Sequence, residues 1–338
     1  MLAACLGDSR GEIAYHVAVD GSDENSGSKA QAFRSVTRAQ EAVRKLSREK
    51  PGGSVTVIIH PGTYRLEEPL TFTPADSGTA EAPVTYRAAK TGKAILSGGM
   101  RIGGWKKKGK LWQTTIDQVQ QGNLYFHHLF VNGRRARLAV MPNKFYLRTA
   151  GPIRPLGDHQ KARRDQSTKQ GFRFREGDFQ RWNNPDDVFI ELYHSWTTSL
   201  HWIKEVNLEK RIVRFTNPSH WPVSYWEKFE RYRVRNCFEA LDSPGEWYLD
   251  RKSGTLSYWP LPGQNMKQAE VIAPRLTDLV VFQGEPEKGR FVRHLRLVGL
   301  SFQHEDWDFD RQFVVDGQRI QPAVQIAGQG LRVRPKHP

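Results

Sequence analysis

Four runs decide how this chain folds: Val55-Thr-Val-Ile-Ile-His-Pro-Gly-Thr-Tyr-Arg-Leu66, Pro69-Leu-Thr-Phe-Thr73, Pro83-Val-Thr-Tyr-Arg-Ala-Ala89 and Ala94-Ile-Leu-Ser-Gly-Gly99. Each holds a short β-branched or aromatic stretch, at Val55–His60, Pro69–Thr73, Pro83–Ala88 and Ala94–Ser97. Pro, Gly, Ser, Asp and Thr separate them, as turns require. No gap is long enough for a crossover helix, which argues against a doubly wound α/β sheet. The Asn-Gly and Asp-Gly signals of tight hairpins are missing from this stretch. Strands that neither cross over nor fold back wind on themselves, so the reading is a parallel β-solenoid.

Outward from this core, Ala14–Val19 reads as another strand. One amphipathic helix follows: Ser35 can cap it, Val36, Ala39, Val43 and Leu46 share one face, and Pro51-Gly-Gly53 stops it. A helix before a stack of strands suits an end cap. From Trp105 to about Pro262 the strands are more widely spaced and aromatic-rich, as in an antiparallel β insertion. Within it Leu129-Phe-Val-Asn-Gly-Arg134 ends in a turn, Val188–Tyr193 and Ile212–Thr216 read as strands, and Trp247–Trp259 reads as a hairpin with Lys252-Ser-Gly254 at its tip. The loop from Leu147 to Arg181 is long and basic, a type more often functional than structural. From Val271 the solenoid pattern resumes at Thr277–Gln283, His294–Phe302 and Pro322–Ala327. The expected domains are therefore 12–104, 105–270 and 271–328, with an irregular tail at 329–338.

The chain has 338 residues, 38% of them apolar, and a formal net charge of +15. This composition is globular and contains no apolar run of membrane-spanning length. The charge is uneven. Arg101–Arg181 carries 18 Lys and Arg against 5 Asp and Glu, a field that attracts polyanions or else solubilises one face. Two cysteines, Cys5 and Cys237, exclude a disulfide framework and sit in no metal or redox spacing. Leu2-Ala-Ala-Cys5 has the look of a lipoprotein cleavage box but lacks the basic and apolar segments that precede one.

Several motifs together resemble bacterial right-handed parallel β-helix carbohydrate-active proteins. They are Val19-Asp-Gly-Ser-Asp23, Ser26-Gly27, Pro61-Gly-Thr-Tyr64, Ser97-Gly-Gly99, Gly104-Trp105, Leu129-Phe-Val-Asn-Gly-Arg-Arg135, Pro142-Asn143 and Phe238-Glu-Ala-Leu-Asp-Ser-Pro-Gly-Glu-Trp-Tyr-Leu-Asp250. The likeness is strongest to glycoside hydrolase family 141, which includes fucosidase and xylanase activities. It spans Tyr15 to Gly328. The most specific part is Phe238–Asp250 followed by Gly254-Thr-Leu256 and Tyr258-Trp-Pro-Leu-Pro-Gly263. The resemblance implies an all-β, right-handed parallel β-helix of the pectin-lyase-like type, with a capping helix and an inserted antiparallel β domain. It also implies an extracytoplasmic protein acting on polysaccharide without a cofactor. Members of the family are longer, so the resemblance further implies an N-terminal portion whose catalytic carboxylates lie on later rungs, with an uncapped end that self-associates.

Two clusters are candidates for chemistry. His304-Glu-Asp-Trp-Asp-Phe-Asp310 follows a predicted strand. Asp306 and Asp308 alternate onto one side of an extended chain and are the candidate carboxylate pair for glycoside hydrolysis. His304 and Trp307 would supply sugar contacts. The plain alternative is a solvated turn whose aspartates cap backbone amides. A calcium loop fits poorly, because Arg311 and Gly317 occupy positions that need Gly and Glu. In His194-Ser-Trp-Thr-Thr-Ser-Leu-His-Trp202, the residues His194, Trp196 and Trp202 are candidate substrate-binding groups, or else domain core.

Adjacent His127 and His128 point to opposite faces and cannot chelate one metal. No phosphate-binding loop, nucleophile elbow or catalytic triad is present. Lys106-Lys-Lys108 and Arg163-Arg164 are solvated charges or contacts for uronates and sulfates. Three further readings stay open: a lyase on uronate chains, a non-catalytic glycan-binding or structural protein, and a nucleic-acid binder. The last is weakest, since no specific nucleic-acid motif accompanies the charge.

Overall fold

A computed structural model describes residues 13–49, 52–154 and 165–307. It also describes the backbone of Phe313–Val315, Gln318–Ile320, Val324–Ala327 and Gly330–Leu331. The Leu2–Cys5 box, Arg163-Arg164, Asp308, Asp310, Arg311, Gly317, Pro322 and the final residues 332–338 lie outside the described residues. The chain divides into two compact units, residues 1–101 with 272–306 and residues 102–271 with 307–338.

In the first unit, Ile13–Val17, Val55–Ile59, Val84–Ala88 and Leu295–Val298 pair in parallel, with Tyr15 opposite Val57, Val57 opposite Tyr86 and Tyr86 opposite Leu297. A second ladder joins Gly62–Arg65, Ala94–Ser97 and Ser301–Gln303. A third joins Leu70–Phe72 to Val280–Phe282. Val55–Ile59 is apolar almost throughout and buried, as a central parallel strand must be. The helix Val36–Glu49 begins where the Ser35 hydroxyl accepts the Arg38 amide at 3.0 Å. Its buried stripe of Val36, Ala39 and Val43 joins a core of Phe33, Val57, Ile59, Phe72, Tyr86 and Leu96.

These ladders correct the fold class. The chain is mostly β, in several separate sheets with few helices, and among the described residues no sheet is closed or wound into a solenoid. A right-handed parallel β-helix of the pectin-lyase-like type is therefore not its architecture. Parallel stacking stops at four, three and two strands, while the largest sheet pairs antiparallel. The physical reason lies in what the sequence specifies. Short β-branched runs between turn residues fix where strands form, whereas direction and stacking number depend on tertiary partners.

In the second unit, the main sheet runs Val140–Met141, Arg231–Arg235, Phe189–Tyr193, Thr197–Asn207, Ile212–Phe215 and Gly171–Arg173. A five-stranded sheet contains Glu246–Asp250 and Thr255–Tyr258, a hairpin with Trp247 opposite Tyr258. Strict alternation sends Ile190, Leu192, Tyr232 and Val234 inward, onto Phe172, Phe174, Phe179, Val213 and Phe215. The opposite face of these strands carries Glu191, Tyr193, Arg231, Arg233 and Arg235.

Candidate glycan-binding surface

The strands Phe189–Tyr193 and Thr197–Asn207 are joined by a turn in which the His194 amide donates to the Thr197 carbonyl at 2.8 Å. Ser195 and Trp196 form its tip. Trp196 is 62% exposed. The segment His220–Trp226 folds against it: the rings of Trp196 and Trp226 are 4.3 Å apart, those of Trp226 and Tyr225 4.6 Å, and those of Trp221 and Tyr225 5.0 Å. An exposed indole backed by further aromatic rings presents a rigid apolar surface to the CH face of a sugar.

Beneath the tip, alternation turns His194, Ser199 and His201 into the interior, where all three are buried. The Ser199 hydroxyl lies 2.9 Å from His194 Nε2 and 2.7 Å from His201 Nε2. His201 Nδ1 faces the Asn217 carbonyl at 3.3 Å. A carbonyl only accepts, so His201 carries its proton on Nδ1 and its Nε2 accepts from Ser199. The serine oxygen then accepts from His194 Nε2–H. That leaves His194 Nδ1 facing Glu230 Oε2 at 3.4 Å. Burial, with His194 adding to it, lowers the pKa of His201 to about 3, so its imidazole is neutral. Ser199 is enclosed with these groups, and this network supports the turn.

Trp202 lies elsewhere. It sits at the end of the ladder away from the turn, half-buried, opposite Phe189 with ring centroids 5.8 Å apart. Of the residues read from sequence in this segment, Trp196 is at the surface, His194 is under it and Trp202 belongs to the sheet. Sequence reasoning missed Trp221, Tyr225 and Trp226. The density of His220-Trp-Pro-Val-Ser-Tyr-Trp226 was the available signal, but nothing in its spacing tied it to Trp196.

In the first unit, His304 is buried with Nδ1 2.9 Å from the Ser97 hydroxyl. Asp306 is also buried, its amide donating to the Leu276 carbonyl at 2.9 Å. Trp307 falls in the second unit and is half-buried. Within the first unit a groove of about 370 Å³ is lined by Asp278, Val280, Phe282, Leu297, Phe302 and Glu305 among others. It brings two carboxylates to an apolar wall, and neither was singled out from sequence. Among the described residues no cluster of His, Cys, Asp and Glu fits a metal ion, and no helix is long and apolar enough to cross a membrane.

No protein-family model and no curated protein matches the sequence. Among solved structures the chain is similar to a glycoside hydrolase at 27% identity and a TM-score of 0.70, over 87% of this chain and 51% of that one. It thus has a glycoside hydrolase-like fold and spans about half the length of that protein. A structure of XylC with xylose matches at 16% identity and a TM-score of 0.41, over 87% of this chain and 35% of that one. A rhamnogalacturonan lyase matches at 26% identity and a TM-score of 0.20, over 25% of this chain and 22% of that one.

Proposed function

We propose that this chain is part of a carbohydrate-active enzyme of the glycoside hydrolase kind, acting on a polysaccharide outside the cytoplasm. The observation that carries the reading is the likeness to a glycoside hydrolase along 87% of the chain. The Trp196 surface supports it, because stacked aromatic rings at an exposed turn suit sugar faces. Cleavage would use two carboxylates, one as acid and one as base or nucleophile. Asp306 with Asp308 is the pair drawn from the sequence, and Asp278 with Glu305 lines an apolar groove in the same unit as Asp306. The family 141 resemblance makes xylan and fucosylated glycans the first substrates to try.

The test incubates the protein with a polysaccharide panel and measures new reducing ends, with Asp278→Asn, Glu305→Gln, Asp306→Asn and Asp308→Asn alongside. Release that disappears in a carboxylate variant supports hydrolysis and assigns the residue. An unsaturated, ultraviolet-absorbing product would replace hydrolysis with elimination. Binding without any product would leave a glycan-binding protein.

A further inference from the structure

Next to the Trp196 turn, Phe145 and Tyr146 stand at the surface beside the arginine-bearing face of Arg231–Arg235. Phe145 is 82% exposed and has φ +61°, a left-handed conformation that bulky residues rarely adopt. Arg233 helps hold it there, its Nε donating to the Phe145 carbonyl at 3.1 Å. The Arg233 guanidinium lies over the Tyr146 ring at 4.7 Å and that of Arg231 at 5.4 Å. Tyr146 in turn meets Tyr193 edge-on at 4.8 Å.

The charges here are unbalanced. Arg148 and Arg231 share one carboxylate, Glu227, each at 3.4 Å. Glu191 sits opposite Arg233 in the ladder, yet its Oε2 is taken by Arg235 Nε at 2.6 Å. Arg233 has no carboxylate within ion-pair distance among the described residues. The patch is continuous with the Trp surface. Tyr193 leads into the turn, and Glu227 follows Trp226.

We propose that Phe145, Tyr146, Tyr193 and Arg233, with Arg148 and Arg231 at the rim, form a subsite for an acidic sugar, one carrying a carboxylate or a sulfate ester. This rests on the glycan reading above and adds the charge of the sugar. Phe145 offers its ring to the sugar face, and the guanidinium of Arg233, fixed by its Nε bond and the Tyr146 ring, presents its remaining N–H donors to the anion. An arginine held flat against an aromatic ring loses little further freedom when it binds.

The experiment is calorimetric titration of the intact chain with three oligosaccharides of equal length: an oligogalacturonate, a sulfated uronate-free galactan and a neutral xylo-oligosaccharide. The expected result is binding of at least one acidic oligosaccharide about tenfold tighter than the neutral one, weakening as salt is raised. Arg233→Gln should bring the ratio of acidic to neutral affinity to about one while leaving the thermal midpoint in place, and Arg233→Lys should restore part of that ratio. Whichever acidic probe wins separates carboxylate from sulfate recognition. Equal affinity for neutral and acidic probes, or an Arg233→Gln variant that keeps the preference, overturns the inference and leaves the glycan reading intact. A chain that binds none of the three, nor any polysaccharide of the wider panel, overturns both.

Discussion

His194 Nδ1 stands 3.4 Å from Glu230 Oε2, and both side chains are closed off from solvent. Two buried polar partners that face each other are stable only together. Removing one strands the other's polarity in a medium that cannot solvate it. Glu230→Leu is therefore expected to lower stability by about 3 kcal/mol in urea unfolding. The same substitution should loosen the Trp196 turn, seen as a change in tryptophan fluorescence before unfolding. A variant as stable as the parent would mean that the pair contributes nothing to the turn.

His201 gives the second unit an acid limb. In the folded chain its pKa is about 3, against 6.5 for an unperturbed imidazole, because burial penalises the charged ring. The folded state therefore refuses a proton that the unfolded state accepts. This contribution is fully present above pH 6.5 and is lost as the pH falls toward 3, by up to about 5 kcal/mol. Stability measured by urea unfolding across this window should fall more steeply in the parent than in His201→Asn, which does not titrate. Parallel slopes would refute the assignment.

Gly99 carries a packing argument that the Ser97-Gly-Gly99 motif did not disclose. A Cβ on Gly99 would run into Ile272 Cγ2 and stand 2.9 Å from His304 Cβ. The glycine thus lets the chain after Phe302 approach closely enough for His304 to reach the Ser97 hydroxyl. Gly99→Ala should cost on the order of 2 kcal/mol through overpacking. Gly92→Ala, where a Cβ meets nothing within 4 Å but the φ is +71°, should show only a smaller backbone penalty. Thermal melts of the two variants decide between close approach and backbone conformation.

The sequence was most legible where local chemistry decides the outcome. The runs at Val55–Ile59, Val84–Ala88 and Ala94–Ser97 are strands within a residue or so of where β-branched content and flanking turns put them. The helix after Ser35 followed from a cap and a stripe. Sheet architecture was not legible, because strand direction and the number of strands in a ladder depend on partners far away in sequence. Phe189–Tyr193 pairs with both Thr197–Asn207 and Arg231–Arg235, and only the first of these is local. At the site, Trp196 could be found as an aromatic in a polar run. Its partners Trp221, Tyr225 and Trp226 could not, and the choice between surface and core for His194 needed the strand register that alternation alone leaves open.

Arg44 and Asp76 provide a stability test in the first unit. Arg44 donates from Nε to Asp76 Oδ1 at 2.8 Å and from Nη2 to Oδ2 at 2.9 Å, and the Asp76 side chain is completely buried. The hydrogen bonds to Asp76 raise the arginine's pKa despite partial burial. Asp76 also accepts the Thr73 amide at 2.7 Å, which ties the helix to the turn that follows Leu70–Phe72. Arg44→Met keeps the aliphatic stem but leaves a buried carboxylate without its cation. A loss of about 3 kcal/mol is expected, with no effect on glycan binding.

Trp196 and Trp202 separate binding from packing. Trp196 is mostly exposed, so Trp196→Ala removes a sugar-facing ring and little core, and the thermal midpoint should hold within a degree or two. Glycan affinity should fall by about tenfold, the range that one lost aromatic contact gives. Trp202 is half-buried against Phe189, so Trp202→Ala should do the reverse, costing on the order of 2 kcal/mol of stability and leaving affinity unchanged once folding is allowed for. Affinity electrophoresis in polysaccharide gels, run beside thermal melts of the same preparations, reads both quantities. If Trp202→Ala weakened binding at full stability, the binding surface would have to move from the turn to the strand.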